Sequence, residues 1–501
     1  MKHVFPLAFA ACALAASCAK TSAPSSESLR SVEEKRNATK LADDYSVTPS
    51  LVSAMGGENL EFIPLISSED KVPASPGFIY GGQPDGQALL RNQEGPGYVL
   101  VTNHEIYQAV SRVFLDKNLS PVSGEYIVDK EGGQWRLCSA TMATPQEHGF
   151  GPLFLTAGES GQESMVHGVD PYAAVAELKR TDRVLPALGK ASMENAVPLP
   201  KQAFPGKTVI IIGEDQSPST SHMSAGQLSM YVGKGIGDLN NGNFYQLRRA
   251  NLDPVETNMV MGEAYDVEFV EIPNVVNKTG AQINDETYAL NAIRFARIED
   301  VDYRKGNKAA GREIYFVATG VAASRQYQVP GYTMWGRLYK LVLDAKNPLK
   351  GKLEVVMDGS EGKWNATPGA DMVNPDNVCA TENYVYVQED SDSYYVDNKH
   401  DAYVWQYAIA TGNYKPVITM DHRRNDPVFN AKFNPSNAQA FGTWEYGAML
   451  DISDLTGLAN TFLLNIHSHT WTSDAFANPD GSGLSTQKEG GQTVIVRGLP
   501  R

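Results

Sequence analysis

Short runs of β-branched and aromatic residues, each closed off by Gly, Asn or Asp, recur along this chain, and no long helical pattern separates them. They include Gly97-Tyr-Val-Leu-Val-Thr102, Thr208-Val-Ile-Ile-Ile-Gly213, Glu313-Ile-Tyr-Phe-Val-Ala318, Arg337-Leu-Tyr-Lys-Leu-Val-Leu-Asp344, Tyr384-Val-Tyr-Val-Gln388, Tyr403-Val-Trp-Gln-Tyr-Ala-Ile409, Thr461-Phe-Leu-Leu-Asn-Ile466 and Thr493-Val-Ile-Val-Arg497. Side chains of this kind fill a pleated surface, and turn residues at both ends bound them as strands. Helical signals are confined to residues 170–177 and 191–197. With no helices alternating between the strands, a doubly wound α/β fold is excluded and an all-β fold is expected.

Two of these strands end alike, in Ile210-Ile-Ile-Gly-Glu-Asp215 and Val385-Tyr-Val-Gln-Glu-Asp390. A Ser-rich polar loop follows each, and the next strand begins 13 residues after the Asp in both, at Leu228 and Tyr403. Ile314-Tyr-Phe-Val-Ala318 followed by Leu338-Tyr-Lys-Leu-Val342 repeats the order with a longer loop and without the acidic pair. Radial repetition of small sheets gives this pattern, so the expectation is a single large β-propeller of about six blades, with inserted loops and short helices. Coincidence within a β-sandwich is the alternative.

The N-terminus sets the expected compartment. Lys2 and His3 precede an apolar run over residues 4–16, of signal-peptide length and too short to span a bilayer permanently. It ends in Leu14-Ala-Ala-Ser-Cys18, which resembles a bacterial lipobox and marks Cys18 for lipidation. Residues 1–17 then read as signal, 18–40 as a polar flexible tether, and 41–501 as the folded domain. The expected location is the bacterial cell envelope, outer membrane or facing the periplasm, with the lipid as the only membrane contact. A net charge of −15 and the lack of a basic stripe exclude nucleic acid as a partner. Of the four cysteines only Cys138 and Cys379 fall in the folded part. They form either one disulfide or two buried thiols, and separate thiols are expected.

Acids gather at strand ends. Glu105 follows Val99-Leu-Val-Thr-Asn-His104, and Glu159 follows Leu153-Phe-Leu-Thr-Ala-Gly158. Glu214 and Asp215, Glu299 and Asp300, and Glu389 and Asp390 each border an apolar run. Carboxylates at matching ends of several blades would meet at one mouth of a propeller, repelling one another unless a cation lies between them. Calcium, which takes several carboxylate oxygens, fits that need. Each acid taken singly also reads as a solvated loop residue. Arg297, two residues before Glu299, shares its strand face and could serve oxyanion recognition or a structural ion pair. His467 and His469 at i, i+2 also face one side and could hold a transition metal, with Glu445 beside Trp444 a further candidate ligand. No phosphate loop, nucleophile elbow or dinucleotide fingerprint is present.

These short motifs, in this order, resemble the PhoX-type alkaline phosphatases from about residue 75 to the end. Leu100-Val-Thr-Asn-His-Glu105 is similar to the family's Asn-His-Glu motif, and Cys138 with Leu153-Phe-Leu-Thr-Ala-Gly-Glu159 to its Cys-Gly-Gly segment and Thr-Cys-Glu-Glu strand end. Ala191-Ser-Met-Glu-Asn-Ala196 resembles Ser-His-Glu, Ile212-Gly-Glu-Asp215 resembles Gly-Asp-Asp, and Phe295-Ala-Arg-Ile-Glu299 resembles Arg-Pro-Glu. Asn374-Pro-Asp-Asn377 matches a Pro-Asp-Asn blade start, and residues 465–469 a final Gln-His strand.

The resemblance implies a phosphomonoesterase with calcium and iron. Asn103 and Arg297 would hold the phosphate oxygens, Glu194 and Glu299 iron, and Glu105, Asp215 and Glu389 calcium. Glu159, Asp390, Glu445 and His467 complete the candidate metal ligands. Three positions depart from the family. The thiolate position of Thr-Cys-Glu-Glu is Ala157, the next acid is Gly158, and the histidine of Ser-His-Glu is Met193. The iron pair is thereby placed in question, and a calcium-only centre stands beside it. The functional expectation is a metal-dependent hydrolase of small phosphate esters. A calcium-dependent lactonase or phytase-like hydrolase and a non-catalytic ligand-binding propeller are the alternatives.

Overall fold

Strands such as Val209–Glu214 and Tyr384–Glu389 are apolar on both faces, which a sheet tolerates only when both faces are covered. The fold meets that demand. It is described from a computed structural model covering Met1 and residues 41–42, 45–218, 225–306, 311–324, 327–360, 372–390 and 401–501. The expected signal, Cys18 and the tether fall outside these described residues.

The strands pair antiparallel in small sheets laid out in chain order. Pro84–Arg91, Tyr98–His104, Ala109–Leu115 and Pro121–Val128 form the first, and Leu137–Ala143, Leu153–Gly158 and Val166–Val169 the second. A nine-stranded sheet holds the third and fourth, one starting at Met193–Pro198 and the other at Ile298–Tyr303. These two fuse where Ala264–Ile272 pairs with Lys350–Asp358. The fifth starts at Pro375–Ala380 and the sixth at Glu445–Asp451. The six starting strands neighbour one another in sequence, and the last packs against the first. They therefore surround a common axis in a propeller-like arrangement.

The N-terminal strands close this ring. Val52–Ala54 pairs with Tyr414–Met420 at the outer edge of the fifth sheet, and Glu61–Ser67 with Glu489–Arg497 at the edge of the sixth. A separate apolar cluster fills each gap between neighbouring sheets. Alternation along single strands builds them. Val385 and Val387 face the fourth sheet while Tyr386 faces the sixth, and Ile210 and Ile212 face the second while Val209 and Ile211 face the fourth.

Two local expectations are corrected. Residues 191–197 are not helical, because Met193–Pro198 pairs with Val209–Glu214 and sheet pairing overrides the weak local signal. Residues 170–177 hold only a single turn of 3-10 helix, Val175–Glu177. Cys138 and Cys379 are separate buried thiols.

Leu463 is fully buried in the cluster that joins the sixth sheet to the first. Leu463→Ala is expected to cost about 2–5 kcal/mol, read as a lower denaturant midpoint. Val428→Ala, at an exposed position of the helix Pro427–Phe433, should stay within about 0.5 kcal/mol.

Candidate metal centre

One position repeats around the axis. In five sheets the residue entering the first strand pairs with the last residue of the second strand. The pairs are Pro84 with His104, Leu137 with Gly158, Met193 with Glu214, Ile298 with Ala318 and Pro375 with Glu389. One residue further along the first strand come Asp85, Cys138, Glu194, Glu299 and Asp376. One residue beyond the second strand come Glu105, Glu159, Asp215, Thr319 and Asp390. In the sixth sheet Glu445 pairs directly with His467. All six ladders slip register just after this point. A bulge bends the strand and re-aims a side chain, so the same irregularity turns each first-strand residue toward the axis.

The result is one cavity of about 200 Å³. Nine carboxylates line it: Asp85, Glu105, Glu159, Glu194, Asp215, Glu299, Asp376, Asp390 and Glu445. Cys138, His467, His469, Gln83, Tyr446 and two arginines complete the wall. The arginines occupy the position just before the first strand, Arg136 in the second sheet and Arg297 in the fourth. Gln83, Arg297 and Asn374 hold this position with φ of 45°, 64° and 44°. Left-handed backbone at a non-glycine residue costs on the order of 1–3 kcal/mol and gathers at functional sites. Arg297 donates Nε and Nη2 to the two oxygens of Asp215 at 2.6 and 2.8 Å, with Nη2 2.9 Å from Glu299. Arg136 lies 2.8 Å from Glu105 and 3.7 Å from Glu159.

Two guanidiniums do not balance nine carboxylates. Burial, and then neighbouring charge, pushes the carboxyls of Asp85, Glu194, Glu299 and Asp376 well above the usual range. Glu105 is raised too, and burial with Asp215 and Glu105 pushes Glu159 up to about 8. Glu445 is the exception. Burial would raise it, but His467 and His469 hold it well below. Burial likewise raises the Cys138 thiol, whose Sγ donates to Glu159 at 3.3 Å.

Four groups of ligand atoms lie within 4.8 Å of one another. They are Asp85 with Glu105 and Cys138; Cys138 with Glu159 and Glu194; Glu194 with Glu299 and Asp376; and Glu445 with His467 and His469. Cys138 links the first two and Glu194 the second and third, the sharing that bridged metal ions require. One oxygen of Asp85, buried and without a hydrogen bond, fits the same reading. Hard oxygen donors suit calcium, and a thiolate between them suits iron.

Most of the sequence candidates converge here: Glu105, Glu159, Glu194, Asp215, Arg297, Glu299, Asp390, Glu445 and His467. Two do not. Asn103 does not line the cavity: its amide nitrogen donates to the Cys138 carbonyl at 2.5 Å and to Thr156 Oγ1 at 2.7 Å, which supports Cys138, while its amide oxygen is buried without a hydrogen-bond partner. Glu389 is fully buried and accepts from the backbone of Val373 and Tyr403 and from the Trp405 indole. It is a structural acid, and its neighbour Asp390 takes the cavity face. The thiolate looked for at Ala157 is also placed differently. Ala157 packs in the core between the second and third sheets, and Cys138 supplies the cavity's sulfur from the adjacent strand. Asp85, Asp376, Arg136 and Gln83 are the residues sequence reasoning missed.

No protein-family model matches the chain, and no curated protein sequence matches it. Among solved structures, PhoX of Pseudomonas fluorescens in complex with vanadate, a transition-state analogue, aligns with a TM-score of 0.60 at 12% identity. The match covers 92% of this chain and 98% of that one. A calcium-binding regucalcin of Agrobacterium tumefaciens aligns with a TM-score of 0.38 at 10% identity, over 92% of this chain and 98% of that one. The first likeness establishes a PhoX-like fold.

Raised carboxyls bind protons in the folded state that the unfolded chain has released. Without metal, their contribution to stability is present below about pH 4.5 and is lost as pH rises through about 8. Thermal melts in chelator should therefore fall over that range, and added calcium should flatten the slope. A melting temperature with no such slope in chelator would mean the carboxyls are not raised.

Proposed function

We propose that this protein is a metal-dependent hydrolase of small phosphate esters, built as a six-bladed propeller and held in the bacterial envelope through lipidated Cys18. The observation that carries the activity is one cavity in which shared carboxylate and thiolate ligands stand beside two arginine forks. A PhoX-like fold whose solved relative holds vanadate supports the phosphate chemistry.

Arg297 is the principal anion-binding group in this reading. Asp215 and Glu299 grip its Nε and Nη2. That grip fixes the plane of the guanidinium and leaves Nη1 outside these pairs for a phosphoryl oxygen. Arg136 is held by Glu105 and offers a second fork, taking the part that Asn103 does not fill. Asp85, Glu105, Glu159, Glu194, Glu299 and Asp376 would hold the cations, calcium with iron at the Cys138 positions. Bound metal would neutralise the phosphoryl charge and supply a hydroxide at neutral pH.

Metal-replete protein is expected to hydrolyse p-nitrophenyl phosphate and to lose that activity in chelator. Arg297→Lys keeps the charge but not the planar fork, and should lower kcat/KM by about 100- to 1000-fold. Failure of metal-replete protein to cleave any phosphomonoester or phosphodiester would overturn the assignment.

A further inference from the structure

The sixth sheet differs from the other five. Where they present acids or a thiol, it presents His467 and His469, two residues apart on Thr461–Thr472, around Glu445. His467 is buried, and its Nε2 lies 2.8 Å from the Pro84 carbonyl. A carbonyl and a carboxylate both only accept, so the metal-free ring carries a proton on each nitrogen, and a dication would take the place of the Nδ1 proton that faces Glu445, with Glu105 Oε2 at 3.9 Å. His469 is held in the opposite sense. Its Nδ1 lies 3.1 Å from both Glu489 Oε2 and Gln83 Nε2, and its Nε2 lies 3.4 Å from Glu445 Oε2. Each ring is thus oriented by an acceptor on its outer nitrogen while its inner nitrogen converges on one carboxylate. Metal-binding histidines are oriented in this way.

One further observation points to an occupant. Gln83 donates to Glu489, yet its Oε1 is buried on this wall without a hydrogen-bond partner.

We propose that Glu445, His467 and His469 form a separate site for a first-row transition dication, distinct in metal preference from the carboxylate subsites beside it. Imidazole nitrogens favour metals such as zinc, iron or nickel, while calcium takes oxygen donors. The protein then carries two kinds of metal site at one mouth: carboxylate and thiolate donors across the first to fifth sheets and a nitrogen-bearing site on the sixth. The site depends on its donor atoms and not on the hydrolase reading.

The test is a cobalt(II) titration of the full chain, stripped with chelator and dialysed, in saturating calcium. Its readouts are the visible absorption bands of bound cobalt and the melting temperature, and activity is not measured. Wild type should show cobalt bands of nitrogen ligation despite the calcium. His469→Gln, at a partly exposed position, should weaken cobalt binding about 10- to 100-fold while keeping the calcium-induced rise in melting temperature. His467→Ala should do the same if it folds. Displacement of cobalt by calcium, or unchanged cobalt bands in His469→Gln, would overturn the proposal.

Discussion

Like charge brought together out of water is the constraint on which the rest of this structure depends. Nine carboxylates converge on one cavity with two arginines and two histidines among them. In a medium of low effective dielectric, neighbouring acids cannot all ionise. Either protons or cations must stand between them, and burial raises the carboxyls of Asp85, Glu194, Glu299 and Asp376 accordingly. A site this unfavourable needs a frame that cannot relax away from it.

The frame is the ring of sheets. Each is apolar on both faces and locked to two neighbours by separate clusters, so no single sheet can tilt outward without opening two cores. Strands from the N-terminus finish the fifth and sixth sheets, which ties the two ends of the domain together. Against that rigidity the bulges are the adjustable part. They recur at one level in all six first strands and turn the same position toward the axis. The left-handed residues Gln83, Arg297 and Asn374 lie immediately before them, so local strain and chemistry occupy the same ring of positions.

The sequence displays the second strands clearly because burial on both faces leaves continuous apolar runs, as in Val209–Glu214 and Tyr384–Glu389. Acids that follow them, such as Glu105, Glu159 and Asp215, are conspicuous for the same reason. First strands are harder to see. Asp85 sits in Gly81-Gly-Gln-Pro-Asp-Gly86, whose Gly and Pro hide the strand, and Asp376 in Asn374-Pro-Asp-Asn377, visible only as a blade start and not as a cavity acid, because the bulge breaks the alternation in both. Arg136, between Trp135 and Leu137, carries no local mark of its role. The usable signal was positional: the second residue of the strand preceding each conspicuous apolar run. Glu389 was misread for a related reason. It closes its strand as Glu214 closes another, and alternation sends the acid one residue later, not this one, into the cavity.

The most direct measurement is elemental analysis of the full chain purified at neutral pH without chelator. The account predicts calcium together with a first-row transition metal, about two or more ions per chain, since bridged ligand sets are built for more than one cation. A chain free of stoichiometric metal would contradict it, and would mean that protons alone hold these carboxyls together.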